Sequence, residues 1–195
     1  MIRSQDRSGW FGASDTAIIM GSWDTDSFRD WWAIKTGLPL HTFKSRAMDV
    51  GNAMEHAIID AICAAEKQRI RKGNRPVYRR HRLRVNYDGL RLFEVVEVKT
   101  SGKGFSKVPR GYWMQCQVLM YALRRRKCSL WLYVLNDDEY DMPYFADADA
   151  GRLRRFEIPY DAEWIKREYL PRLRVLARCL KKGVWPCADD IRRCA

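Results

Sequence analysis

Residues 86–100 read NYDGLRLFEVVEVKT. Asp88 falls beside a glycine, and Glu97 and Lys99 follow two residues apart in a run rich in valine. Alternate side chains of a strand share a face, so Val95, Glu97 and Lys99 point one way and Val96 and Val98 the other. An acid and a base inside an apolar strand are costly unless each is paired or bound. An ion pair between them is the simplest way out. Asp88 weighs against it, because a hairpin through Asp88 and Gly89 would bring a second carboxylate beside Glu97, and adjacent carboxylates repel. A hard divalent cation removes that repulsion, and oxygen donors suit Mg²⁺ or Mn²⁺. Such an ion polarises a phosphodiester and acidifies water, and Lys99 is then placed to orient that water or to stabilise charge on phosphorus.

The elements that must hold these residues can be read from periodicity and punctuation. Ser14 is read as the N-cap of a helix through Ala17–Met20, stopped by Gly21. Ser27 opens a second helix with Phe28, Trp31 and Trp32 on its apolar face, ended by Gly37 and Pro39. A longer helix spans about Arg46–Arg69, its period carried by Ala57, Ile58, Ala61, Ile62 and Ala65. Pro76–Asn86 reads as a charged strand, Tyr87-Asp88-Gly89 as a turn, and Leu92–Thr100 as a central β-branched strand. A basic loop (Gly102–Gly111), a helix (Tyr112–Leu123), a buried strand (Ser129–Leu135), an acidic loop (Asn136–Asp149) and a short strand (Phe156–Ile158) follow. Asp161 caps a long amphipathic helix that Pro171 can kink. This order predicts an α/β (α+β) fold, a central mixed β-sheet flanked by helices.

The chain has 195 residues, which fits a single domain over 1–195, and a net charge of +12. A protein this basic points to a polyanion, of which nucleic acid is the commonest. No run of eighteen apolar residues marks a membrane span, and the N-terminus lacks the apolar stretch of a signal peptide, so a cytoplasmic location is expected. Cys63, Cys116, Cys128, Cys179, Cys187 and Cys194 are then expected to be reduced thiols; their spacing is loose for zinc. His41, His56 and His81 are scattered and read as structural or surface residues.

Two further motifs flank the strand. In GNAMEHAIIDAI, Glu55 lies four residues after Gly51 at the edge of the apolar helix face, where it either aims at the sheet as a third carboxylate or meets solvent. In YWMQCQVLMYAL, Gln117 and Tyr121 are one helical turn apart and share a side, or simply form the polar edge of an amphipathic helix. G-x-x-x-E, D-G, E-x-K and Q-x-x-x-Y in this order resemble the RecB-type branch of the PD-(D/E)xK nuclease superfamily. More narrowly, the chain is similar to phage lambda exonuclease and the YqaJ-like viral recombinase nucleases. RSGWFGASDTAIIMG followed by WWAIKTG resembles that family's opening, and the similarity runs from about Arg7 to the C-terminal helix.

The resemblance implies a PD-(D/E)xK restriction-endonuclease-like core and a Mg²⁺-dependent 5′-to-3′ exonuclease on linear double-stranded DNA that leaves 3′ single strands for recombination. It implies metal ligands at Asp88 and Glu97, the Val98 carbonyl and Glu55, with Lys99 as the catalytic lysine. Gln117 matches the glutamine near the scissile phosphate, with Gln115 as its weaker neighbour. Arg7 and Ser14 match a 5′-phosphate pocket, which a cation and a helix N-terminus can form. Relatives carry a small hydroxyl residue and a proline before the catalytic Asp; here Asn86 and Tyr87 stand there, and Asn86 can still donate to a phosphate. The resemblance also implies a ring-shaped homotrimer and a single-strand annealing protein as partner.

Lys67–Arg84 and Arg124–Lys127 offer basic segments for the DNA backbone, and Lys103 and Lys107 lie in the loop after Lys99. Trp10 and Phe11 either stack on bases or belong to the core. Two rivals remain: a Cas4-like or repair nuclease of other polarity, whose iron–sulfur cluster needs a close cysteine pair that the C-terminal cysteines lack, and a DNA-binding module without catalysis.

Overall fold

The computed structural model describes residues 8–38, 46–141, 143–144, 147–187 and 189–192. In chain order, a 3₁₀ turn (Ala13–Asp15) leads into α1 (Thr16–Met20), α2 (Asp26–Lys35) and α3 (Arg46–Glu66). Then come β1 (Arg71–Lys72), β2 (Val77–Arg79), β3 (Leu83–Val85), β4 (Gly89–Leu90), β5 (Glu94–Ser101), α4 (Arg110–Leu123) and β6 (Lys127–Val134). They are followed by α5 (Asp137–Asp141), β7 (Leu153–Pro159), α6 (Ala162–Trp164), a π-helical turn (Ile165–Tyr169), α7 (Leu170–Lys182) and α8 (Asp189–Arg192). Among the described residues no helix is long and apolar enough to cross a membrane. The chain divides into two compact units, residues 42–76 with 86–160, and residues 1–41 with 77–85 and 161–195.

The first of these holds a five-stranded mixed sheet in the order β1-β4-β5-β6-β7. β5 is its middle strand, antiparallel to β4 and parallel to β6, while β7 runs antiparallel to β6. Parallel neighbours need a crossover, and α4 supplies it. The α3 side chains Val50, Met54, Ile58, Ile59 and Ile62 pack with Val96, Val98, Trp131 and Tyr133 of the sheet. Each aliphatic side chain fully buried there contributes about 1.5–3 kcal/mol. The period of α3 is thus as expected, but its buried stripe runs through the larger side chains; Ala65 is exposed. The helix also stops at Glu66, short of the expected Arg69, because Lys67 turns left-handed at φ 52°.

The acidic segment after β6 is not all loop. It contains α5, whose Glu139 is buried and accepts from Tyr133 Oη at 2.6 Å, from Asn136 N at 2.9 Å and from both terminal nitrogens of Arg152 at 2.7 Å. Burial would raise the Glu139 pKa, but the Arg152, Tyr133 and Asn136 donors outweigh it and hold the carboxyl below its ordinary range. At the opposite end of β5, Glu66 and Glu94 bind Arg91 and Arg155 in a four-membered ionic network. It ties the last residue of α3 to the β4–β5 connection and to β7.

The other unit is built on aromatic packing. Phe11 and Phe28 are fully buried among Trp31 and Trp32. Lys35, only 3% exposed, pairs with Asp15 at 2.6 Å, and Trp31 Nε1 donates to the other Asp15 oxygen. Asp15 also accepts from Gly12 N, so Asp15, rather than Ser14, satisfies the start of the first helical turn; Ser14 is exposed within it. The charged strand expected over Pro76–Asn86 is instead the β2–β3 hairpin, a two-stranded sheet of its own. Asp161 caps α6 as expected, accepting from Trp164 N at 2.8 Å. Pro171, which cannot donate an N–H, follows a wider π-helical turn, an accommodation in place of a sharp kink.

Candidate active site

The site begins with strand register. β4 pairs with β5 at only two positions, Leu90↔Val95 and Gly89↔Val96. One residue further on, the same register sets Asp88 across from Glu97. Pairing has ended there, and Val98 N donates to Asp88 Oδ2 at 2.7 Å, taking a side-chain acceptor where a strand would offer a carbonyl. The Asp-Gly pair read as a turn has a different cause. Gly89 lies in β4, where a Cβ would stand 2.4 Å from Ile70 Cγ2. The tight turn falls at Arg91–Glu94, closed by Arg91 N donating to Glu94 O at 2.9 Å, with Leu92 and Phe93 exposed at its tip.

On β5, Glu97 is 2% exposed. Its Oε1 accepts from Lys99 Nζ at 2.7 Å and from Gln115 Nε2 of α4 at 2.6 Å. Lys99 Nζ also lies 5.3 Å from the centre of the Tyr112 ring, a cation–π contact that flanks the ammonium. Cys116, next to Gln115, is in contact with Cys128 of β6, and this buried pair seats α4 on the Glu97 face. Burial disfavours a charged Lys99, but Glu97 and Asp88 outweigh it and raise its pKa well above the ordinary lysine range.

The third carboxylate comes from α3. A Cβ on Gly51 would stand 2.8 Å from Thr100 Oγ1, so glycine lets the helix approach β5 closely. Glu55 follows one turn later and is half-buried. Burial, then Glu97, raises its pKa; His56, Lys99 and Lys72 pull the other way. For Asp88 the shift is larger: burial, then Glu97, then Glu55 push its pKa well above the ordinary value, against Lys99 and the Val98 N–H. Three carboxyl groups and one ammonium thus act on one another, and either a proton or a cation relieves the repulsion among the acids.

Donor chemistry fits a hard divalent ion. Glu97 Oε1 and Asp88 Oδ2 are held by hydrogen bonds, and the second oxygen of each accepts none among the described residues, nor does the Glu55 carboxylate. Among those residues no group of three His, Cys, Asp or Glu side chains is placed to hold a metal ion. Asp88 and Glu97 remain as a carboxylate pair, and Mg²⁺ is commonly held by one or two carboxylates and completed by water and substrate phosphate.

The other expected site residues are dispersed. Gln117 is fully buried and donates to Pro159 O at 2.9 Å, so the amide brought to Glu97 is that of Gln115. Tyr121 is half-buried on α4, while Asn86, Lys103 and Lys107 are exposed. Ser14 belongs to the other unit, and Arg7, His41 and Cys194 lie outside the described residues. Phe11 is core, and Trp10 is half-buried. Sequence reasoning missed Tyr112; its only signal was its place in the first turn of α4, one turn before Gln115 and Cys116.

No protein-family model and no curated protein sequence matches the chain. Solved structures do. An alkaline exonuclease, LHK-Exo from Laribacter hongkongensis, superposes with a TM-score of 0.71 at 17% identity over 91% of this chain and 90% of that one. LHK-Exo in complex with dAMP gives the same values. A phage-related exonuclease from Haemophilus somnus 129PT has a TM-score of 0.63 at 12% identity over 89% and 96%. The chain therefore shares the fold of these exonucleases nearly end to end, the mixed sheet and flanking helices included.

Proposed function

We propose that this chain is a Mg²⁺-dependent DNA exonuclease that acts as one catalytic module, degrades linear duplex DNA from a 5′ end and leaves a 3′ single strand. The observation that carries the reading is the convergence of Glu55, Asp88, Glu97 and Lys99 in a fold shared with two exonucleases. The dAMP complex of LHK-Exo supports deoxynucleotides as the substrate class. Mn²⁺ is a second candidate ion. Pairing with a single-strand annealing protein, assembly as a ring, and a 5′-phosphate pocket at Arg7 and Ser14 belong to the same reading.

Asp88 and Glu97 would hold the ion, with Glu55 as the third carboxylate of the site. Bound there, a divalent ion neutralises the scissile phosphate and lowers the pKa of the attacking water. Lys99, two residues from Glu97, would act as a positive charge and donor toward the phosphorane-like transition state. Gln115 shares Glu97 Oε1 with Lys99 and fixes the carboxylate plane.

The test uses linear duplex DNA labelled separately at its 5′ and 3′ ends, with Mg²⁺ or a chelator. Early metal-dependent release of the 5′ label with the 3′ label retained is expected. Release of the 3′ label first, or cutting of closed circles, overturns the polarity; tight binding without cleavage overturns the enzyme. Lys99→Ala is expected to abolish cleavage and keep DNA binding, and undiminished cleavage would remove Lys99 from the site.

A further inference from the structure

The β2–β3 hairpin breaks a local rule. It turns on His81 and Arg82, both left-handed at φ 60° and 56°, with Leu83 N donating to Arg80 O at 3.4 Å. The register Arg79↔Leu83 leaves three residues in the connection, and the two consecutive positive φ values there are ones that glycine or asparagine adopts most readily. His81 and Arg82 are half-buried, and Arg82 Nη1 donates to Gly9 O at 3.1 Å, which holds the turn in place; Arg80, exposed at its start, serves another purpose.

Charge shows what that purpose is. The segment PVYRRHRLRVN carries four arginines and no acid. Among the described residues no ion pair involves Arg79, Arg80, Arg82 or Arg174 of α7. Arg80 and Arg174 are both exposed. Burial, then Arg174, then Arg80 lower the His81 pKa, so the charges that bear on this imidazole are all positive. Two residues before Arg80, Tyr78 is 51% exposed, its ring edge-on to that of Trp10, 5.0 Å away at 70°. Uncompensated cations beside an exposed aromatic platform are the two components of a single-strand binding surface, in which cations hold phosphates and bases stack on the rings.

We propose that this hairpin, through Arg80, Arg174 and the Tyr78–Trp10 platform, binds single-stranded DNA at a site containing none of the carboxylate residues. The inference rests on the reading of the chain as a DNA nuclease and names the strand it would hold. A duplex contact needs cations alone; the exposed ring argues for unpaired bases.

Binding of a labelled thymidine oligonucleotide, followed by anisotropy in a chelator, tests it. Each lost phosphate contact on a single strand lowers the log–log salt slope by about 0.7, so Arg80→Ala with Arg174→Ala should reduce it by about 1.4 and weaken binding about 25-fold at 0.1 M salt. Tyr78→Ala should weaken binding further. Arg80→Lys with Arg174→Lys keeps both charges and should keep the slope, and the thermal midpoint of each variant separates lost binding from lost fold. An unchanged slope and affinity in Arg80→Ala/Arg174→Ala overturns the proposal, as does loss of duplex-end binding with the oligonucleotide retained. Cleavage is read separately. If the wild type binds the oligonucleotide through these arginines but cleaves no duplex, the nuclease reading fails and this site stands. Normal cleavage with wild-type oligonucleotide binding by the double variant fails this site alone.

Discussion

Gln115 and Gln117 make the sharpest test, because sequence and structure rank them differently. The motif favours Gln117; the geometry sets Gln115 on Glu97 and turns Gln117 to Pro159. Leucine at either position keeps the volume and removes the amide. Gln117→Leu removes a part-buried hydrogen bond to the Pro159 carbonyl, a loss of about 0.5–1.5 kcal/mol. For a chain of this length each kcal/mol moves the thermal midpoint by about 2–4 °C, so a fall of about 1–6 °C is expected. Its rate per folded molecule should stay within about twofold of wild type, as the lost bond contributes to stability alone. Gln115→Leu removes a donor to a carboxylate, worth about 1.5–3 kcal/mol, or about 10- to 150-fold in rate. Lys99 still donates to the same oxygen at 2.7 Å, which places the expectation in the lower half of that range. Steady-state hydrolysis of end-labelled duplex and thermal unfolding of both variants decide the matter. If Gln117→Leu lost activity at an unchanged midpoint while Gln115→Leu cleaved normally, the assignment of the site amide would be refuted.

Three further outcomes follow from the same geometry. Gly51→Ala should push α3 away from Thr100 and misplace Glu55, lowering cleavage about 10- to 100-fold, and adding Thr100→Ala should recover much of it, measured as kcat on linear duplex. Asp88→Asn keeps an acceptor for Val98 N–H and removes one of three mutually repelling carboxylates, so in a chelator its thermal midpoint should rise while cleavage collapses; a lower midpoint would mean that the carboxylates do not repel. Glu139, with its folded pKa below the unfolded value, contributes stability that is fully present above about pH 4.5 and is lost as pH falls through the lower, folded pKa. Glu139→Gln should therefore cost about 2–3 kcal/mol near neutrality and flatten the acid limb of a stability–pH curve; an unaltered limb would exclude the Glu139 cluster as its source.

Much of the candidate site was legible because its signals are local. The alternation of β5 places Glu97 and Lys99 on one face, and the spacing from Gly51 to Glu55 is one helical turn, so neither depends on tertiary detail. The two-strand reading around Asp88 did not hold as drawn: the strand beside β5 is Gly89–Leu90, the tight turn falls at Arg91–Glu94, and only the nearness of Asp88 to Glu97 survives. Gly89 is required by Ile70, nineteen positions earlier, and not by a turn. The choice between Gln115 and Gln117 depended on which edge of α4 meets β5 and which meets Pro159, a matter of helix rotation that periodicity leaves open. Pro76–Asn86 has the composition of one strand, and the arginine-rich turn that folds it back lacks every usual turn residue, so no local signal announced the hairpin. The N-cap at Ser14 failed because a buried Asp15, tied to Lys35 and Trp31, satisfies the Gly12 N–H first.

The placement of the site follows from unequal strand lengths. β6 accompanies β5 from Glu94↔Lys127 to Ser101↔Val134, while β4 leaves it after Gly89↔Val96. From Glu97 onward the middle strand of the sheet is paired in β-ladder fashion on one side only. A buried strand paired on both sides has no vacant backbone donor and no room for ions; a true edge strand has both but little support. β5 changes from one condition to the other within two residues. Its N-terminal half is clamped by the Arg91, Arg155, Glu66 and Glu94 network, and its next residues receive Asp88 from the departing strand, Glu55 from a helix drawn close by glycine, and Gln115 from the crossover helix. Rigid support and an open flank meet at Glu97, and that junction is where Asp88, Lys99 and Gln115 bring their polar groups together.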